Sequence, residues 1–454
     1  MTGHSRASLF VLGFLAAGCA TDWVDAVTSS PEDGGGSSTS GDDGGGLTTW
    51  PNATSSANSD PWLVANHDRL TQMKPRLLVV DFYDGPAEPA DAGSTSTVPD
   101  PRQLAQAQID AIADGSRFHG YADASSPAFL NYELVKLVDL TDHPRPAGWP
   151  YVSSTNLPID STGAFDPSQL YTQSFANYYG FPDPNNPSRN LTLCELFETG
   201  TINELWLEVG EGGPRAPSDM YESKQVYDEN LQPISGTFDP IVVVPCTNGA
   251  CQSASQCKVS VRIAHLSPTS GVGCDLLVRT GEMEIMGPAI PYLQSNGADF
   301  FDDDFAAEDG VSFNSWQELC QFQGDAGAPC VTYSSPTVAQ GTYADGTAWK
   351  MDPFVQGCGN GHFPANARFA WDYTNTQPVQ SRCEHYRMFD GPDGGDLPNL
   401  YTSNTVATDL PNYSIGGCSS QWQVYLRQNM PGYGNQARGV DGLPMKNWWP
   451  FLFY

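Results

Sequence analysis

The sequence predicts an α/β fold: a layered, mostly parallel sheet with helices on its faces, plus a loop-rich, disulfide-containing C-terminal region. Three observations carry this reading. Short continuous apolar runs of strand length recur, among them Leu205, Trp206, Leu207 and Val209, taken as the central strand. Segments with helical start and stop signals lie between them, and strands separated by helices imply parallel pairing through crossovers. Beyond about residue 290 both patterns fade into turns, acidic clusters and aromatic residues.

In chain order, Arg76 to Phe82 reads as a buried strand that meets a turn at Tyr83-Asp84-Gly85-Pro86. The first good helix is capped by Asp100, has Pro101 in its first turn, places Leu104, Gln108, Ala111 and Ile112 on one face and stops near Gly115. Asn131 to Leu140 reads as a second strand. Asp166-Pro167 opens a helix running through Leu170, Phe175 and Tyr178 to Gly180, and a further helical segment spans Leu191 to Glu198. The central strand follows and runs into a glycine-rich turn with Glu208 and Glu211 near its carboxyl end. After a loop holding Met220 to Ser223, Ile241 to Val244 and Val259 to Leu266 are further apolar runs, and Asp275 to Met286 has a weak helical pattern. The strands beginning near Leu77, Tyr132, Ile202 and Val259 are expected to lie side by side and point the same way, so that their far tips share one rim.

The amino terminus predicts an address. Leu9 to Gly18 is an apolar run behind Arg6, too short for a stable membrane span, and residues 1–18 read as a signal peptide. The run closes on Ala17-Gly18-Cys19, which resembles a bacterial lipobox in which Cys19 takes the lipid, although Leu15 stands one place further from the cysteine than the usual pattern has it. Ordinary cleavage near the alanine pair is the alternative. Ala20 follows Cys19 directly, and by resemblance to lipoproteins of Gram-negative bacteria this points to the outer membrane. Residues 19–60 then comprise the lipidated cysteine and a Gly/Ser/Asp-rich tether that cannot bury enough apolar surface to order itself. At about 40 residues, such a chain has a mean reach of about 35 Å. Residues 61–290 are the expected α/β core, and 291–454 a loop-rich aromatic part, either separate or packed on that core.

With 52 acidic against 21 basic residues, the net charge of −31 repels phosphate backbones, which excludes nucleic acid as a natural partner. Eleven cysteines less a lipidated Cys19 leave an even number in an oxidising compartment. Cys320 with Cys330, and Cys358 with Cys383, are the expected local disulfides. Cys246, Cys251 and Cys257 cluster without the CxxC spacing of a zinc site.

Ligands of open α/β sheets bind beyond the carboxyl ends of the strands. Asp81 and Asp84, Glu208 and Glu211, and His265 end three of the expected strands, and together could do acid/base work or hold a cation or polar ligand. They suit helix capping and core hydrogen bonding equally well. His362 lies inside the expected Cys358–Cys383 loop, while Glu222 in the MYES segment and Asp372 with Tyr373 are candidates of the same kind. Asp390, Asp393 and Asp396 place oxygen ligands at close spacing, as calcium loops do, without the register or the terminal glutamate of an EF-hand. No nucleophile elbow, HExxH helix, P-loop or dinucleotide fingerprint occurs.

The segments INELWLEVGEGG with MYES, CGNGHFPANARFAWDYTN with SRC, and GLPMKNWWPFLF together make the chain from Leu77 to Tyr454 resemble a family of secreted bacterial proteins. The resemblance implies a secreted role and a shared fold, and no reaction. Two functions are therefore expected: a lipid-anchored envelope protein that binds or scaffolds an extracellular glycan or peptide, or an extracytoplasmic hydrolase, metal-assisted or not.

Overall fold

The computed structural model of the protein describes residues 47, 49–52, 54–55, 60–82, 101–141, 156–161, 165–209, 221–227, 233–242, 257–259, 261–266, 305, 331–342, 346–359, 363–369, 372–405, 410, 420–439 and 442–453. Cys19, the tether up to residue 46, Cys320, Cys330, His362 and the helix expected from Asp275 to Met286 lie outside these residues.

Helix α1 (Asp60–Asn66) precedes β1 (Arg76–Asp81), α2 (Pro101–Gly115) and β2 (Glu133–Asp139). The next expected helix is split: a 3-10 turn over Pro167–Tyr171 precedes α3 (Gln173–Tyr179), because Thr172 between them is extended and its hydroxyl accepts the Phe175 amide. A short hairpin, β3 (Pro182–Asp183) and β4 (Asn186–Asn190), leads to α4 (Leu193–Glu198) and β5 (Glu204–Glu208). Strands β6 (Tyr221–Tyr227), β7 (Pro233–Val242) and β8 (Val261–Leu266) complete a six-stranded sheet of order β2-β1-β5-β8-β6-β7.

The first four strands of that order are parallel, as expected. The other edge is not: β6 pairs antiparallel with both β7 and β8. The MYES segment, read as a loop, thus lies in a strand, and the run at Ile241 is the end of a long antiparallel one. Its alternating polar and apolar residues resemble no buried parallel strand, which is why only the continuous runs were legible.

Strands β1 and β5 are buried on both faces. On one face Leu78, Val80, Leu205, Leu207 and Ile263 pack with Leu170, Phe175, Tyr179, Leu193 and Phe197. On the other, Leu77, Val79, Trp206 and Ala264 join Leu104, Ile109 and Ile112 of α2. That second cluster continues into the C-terminal part through Trp422, Leu426, Trp448, Trp449 and Phe451. The aromatic tail therefore packs against the chain's own core.

The C-terminal part contains an antiparallel sheet of β9 (Val331–Ser335), β10 (Val338–Thr342) and β11 (Ala348–Met351), a pair β12 (Val379–Ser381) and β13 (Asn399–Tyr401), and helices α5 (Ser420–Asn429) and α6 (Trp449–Phe453). Helix α5 lies on α2 at a close approach, where a Cβ added to Gly115 would stand 3.2 Å from Cβ of Arg427. The expected Cys358–Cys383 disulfide is present. A second, Cys194–Cys257, ties α4 to the segment before β8, so that Cys257 belongs to a bridge across 63 residues and not to a local cysteine cluster.

Candidate functional site

The chain passes from β1 through α2 to β2 on one side, then returns to set β5 against the other flank of β1. Strand order therefore reverses between β1 and β5, which is where doubly wound sheets open a crevice at their carboxyl ends. Asp81 and Glu208 are register partners at those two ends, and both are fully buried. With neighbouring strands about 4.8 Å apart, their carboxyl groups share one face of the sheet as neighbours. The backbone ties the pair together: Phe82 N–H donates to Glu208 O at 2.9 Å, and Leu140 N–H to Asp81 O at 2.8 Å.

The other rim candidates fall differently. The register pairs His265 with Leu207 and Glu208 with Leu266, so the histidine stands one residue back from the carboxylate rank. Glu222 pairs in register with Arg262 on β6 and β8. Asp84 and Glu211 lie outside the described residues. Asp372 is buried and engaged by Arg368, whose guanidinium donates to it at 2.7 and 3.1 Å.

The three aspartates read as calcium ligands lie in one turn. Asp396 accepts the amides of Arg387 at 2.6 Å and Phe389 at 2.8 Å, and Asp393 accepts that of Gly395 at 3.1 Å. Asp390 accepts the Leu397 amide at 3.1 Å through Oδ1, while Oδ2 lies 2.6 Å from His385 Nδ1. Both oxygens of Asp390 and Asp396 are thus engaged within the protein. Among the described residues, no group of three or more His, Cys, Asp and Glu side chains is arranged to hold a metal ion.

The His385–Asp390 pair belongs to a cluster that sequence reasoning did not find. It forms where the loop after α2 meets the end of α5, beside the amino-terminal edge of the sheet. Ser116 fixes that loop: its hydroxyl accepts the Phe129 and Leu130 amides just ahead of β2, and donates to Ala113 O. His119 N–H then donates to Gln428 O at 2.8 Å, and Tyr121 N–H to Gln428 Oε1 at 2.7 Å. The rings of His119 and Tyr121 lie 5.6 Å apart, and those of Tyr121 and Tyr425 5.0 Å. Tyr425 donates its hydroxyl to Glu384 at 2.8 Å, and Asn399 donates to the other oxygen of that carboxylate.

Electrostatics in this cluster have identifiable causes. Burial, and then the charge of His385, lowers the His119 imidazole to about 4, so it is neutral at ordinary pH. Burial and the Glu384 carboxylate raise both the Tyr121 and Tyr425 hydroxyls, which remain protonated. For Asp390, burial acts upward but is outweighed by the hydrogen bond from His385, so the carboxyl is held below its ordinary range. No local pattern announces such a site: the histidines come from opposite halves of the chain, and only the packing of α5 on α2 joins them.

No protein family, curated protein or solved structure matches this chain.

Proposed function

We propose that this is a lipid-anchored cell-envelope protein that binds an extracellular ligand at the carboxyl rim of its parallel sheet. The observation that carries the reading is the Asp81–Glu208 rank at the point where strand order reverses. Two carboxyl groups side by side at the ends of β1 and β5 suit a ligand that brings hydroxyl or cationic donors. A glycan or a basic peptide has that chemistry. The address rests on the amino-terminal sequence, with Cys19 as the lipidated residue and the acidic tether holding the folded part off the membrane surface.

The experiment is binding of the mature, disulfide-intact chain to glycan and peptide arrays, with Asp81→Asn and Glu208→Gln as variants. Binding that survives in both variants, with melting temperatures like the parent's, removes the rim as the site. Incorporation of labelled palmitate, lost in Cys19→Ser, tests the anchor.

A further inference from the structure

Two non-glycine residues with positive φ, Arg387 at 53° and Phe389 at 53°, lie in the turn between His385 and Asp390. For a bulky residue such as Phe389 this conformation is a genuine outlier, and strain of this kind persists only where surrounding structure over-determines it. Here it does: Asp396 accepts the amides on both sides of the turn, at Arg387 and Phe389, and Arg438 N–H donates to Arg387 O at 3.0 Å. On the other side His385 follows Cys383, which is bridged to Cys358. The backbone behind Cys358 is equally constrained, since a Cβ on Gly359 would stand 2.1 Å from Phe363 O. His385 is thus held from both directions.

The held imidazole is oriented for use. With Asp390 ionised, the 2.6 Å contact places the proton on Nδ1 and leaves the lone pair on Nε2. The His385 side chain is 27% exposed, so solvent reaches it, and no described residue hydrogen-bonds to Nε2. Exposed apolar side chains stand at the turn: Phe389 at 45% and Leu397 at 39%. A net charge of −31 disfavours an anionic substrate.

From this arrangement we infer a hydrolytic site in which His385, positioned by Asp390, activates water against a neutral carboxylic ester bearing an apolar group. It lies apart from the rim and goes beyond the binding reading. In the step, Nε2 takes a proton from water as the water oxygen bonds to the carbonyl carbon and the carbonyl electron pair moves onto oxygen. The tetrahedral species then re-forms its C=O bond and breaks the bond to the alcohol oxygen, which takes the proton from Nε2. The products are an acid and an alcohol, and His385 returns to its starting form with Nδ1–H still on Asp390. Phe389 and Leu397 would seat the apolar group.

The test is hydrolysis of p-nitrophenyl butyrate by the purified mature chain with its disulfides intact. Expected are saturable kinetics, a loss in kcat of about 100-fold or more in His385→Ala, and about tenfold or more in Asp390→Asn with KM unchanged. Leu397→Ser is expected to raise KM about tenfold with kcat unchanged. His385→Gln, whose amide can still donate to Asp390, serves if the alanine variant fails to fold, and the same loss is expected. A rate linear in ester with no saturation, or an equal rate in the His385 variants, is what scattered surface imidazoles give and overturns the assignment. So does a kcat in Asp390→Asn equal to the parent's, because the carboxylate would then position nothing.

Discussion

The side chain of Gln428, near the end of α5, takes the backbone amide of Tyr121 on its Oε1 at 2.7 Å, joining residues 307 positions apart. The same amide group donates through Nε2 to Asp114 O at 2.9 Å, and the Gln428 carbonyl accepts the His119 amide. One buried glutamine therefore fixes both the end of α2 and the loop that carries His119.

Gln428→Ala is expected to leave a buried donor and a buried acceptor unmatched, at about 2 to 4 kcal/mol. Chemical denaturation should show the loss. Gln428→Glu should lose the bond to Asp114 O while keeping that from Tyr121 N–H, and fall between parent and alanine variant. An unchanged midpoint in the alanine variant would mean that α5 does not anchor this loop.

Arg262 and Glu204 form a buried ion pair, N to O 3.4 Å, whose carboxylate also accepts from Tyr132 Oη and Trp206 Nε1 at 2.7 Å each. Removing one charge strands the other in the core, so Arg262→Met is expected to cost about 3 to 5 kcal/mol. The double variant Arg262→Met with Glu204→Gln should recover part of that loss, because the amide can still accept from both ring donors. A double variant less stable than Arg262→Met would falsify this account of the pair.

Closing a loop of 63 residues, the Cys194–Cys257 bridge is expected to contribute about 4 kcal/mol through the entropy of the unfolded chain. Replacing both cysteines by alanine should lower the denaturation midpoint by a corresponding amount, and mapping of the oxidised chain by mass spectrometry should find this linkage. A peptide linking Cys257 to Cys246 or Cys251 instead would contradict it.

Stability should fall in acid in two stages. The first comes from His119, lowered from 6.5 to about 4 by burial and by the charge of His385. Between those values the unfolded chain binds a proton that the native state does not, so stability is lost as pH falls from 6.5 toward 4. The second comes from Glu195, held at about 2 first by the hydrogen bond from Arg189, against burial, with help from Thr192. Its contribution is present above 4.5 and lost as pH falls toward 2. Melting temperature against pH should show both windows, and His119→Asn, which tolerates the left-handed backbone, should flatten the upper one. An identical slope between pH 6.5 and 4 in that variant would be the contrary result.

In α4 the capping box is formed by Thr192 and Glu195. Thr192→Ala is expected to cost about 1 kcal/mol. Thermal melting checks it, and a neutral substitution would mean that the Arg189 contact alone holds the turn.

The sequence by itself determined the parallel centre of this protein. Continuous apolar runs at Leu77 and Leu205 can only be satisfied by burial on both faces, and the proline and glycine signals around α2 and α3 mark helix ends by local chemistry. Those two facts suffice for a parallel sheet with Asp81 and Glu208 at its carboxyl edge, and a short loop suffices for the Cys358–Cys383 bridge. Tertiary structure alone decided the antiparallel edge at β6 and β7, whose period carries no core signal, and the Cys194–Cys257 bridge, whose ends are distant in sequence. It also decided that the aspartates of the 390–396 turn serve amides and His385, and that α5 lies on α2. From that last contact comes the seating of the His119 loop on α5, a juxtaposition written in no local pattern because packing between distant segments depends on the shapes of both surfaces at once.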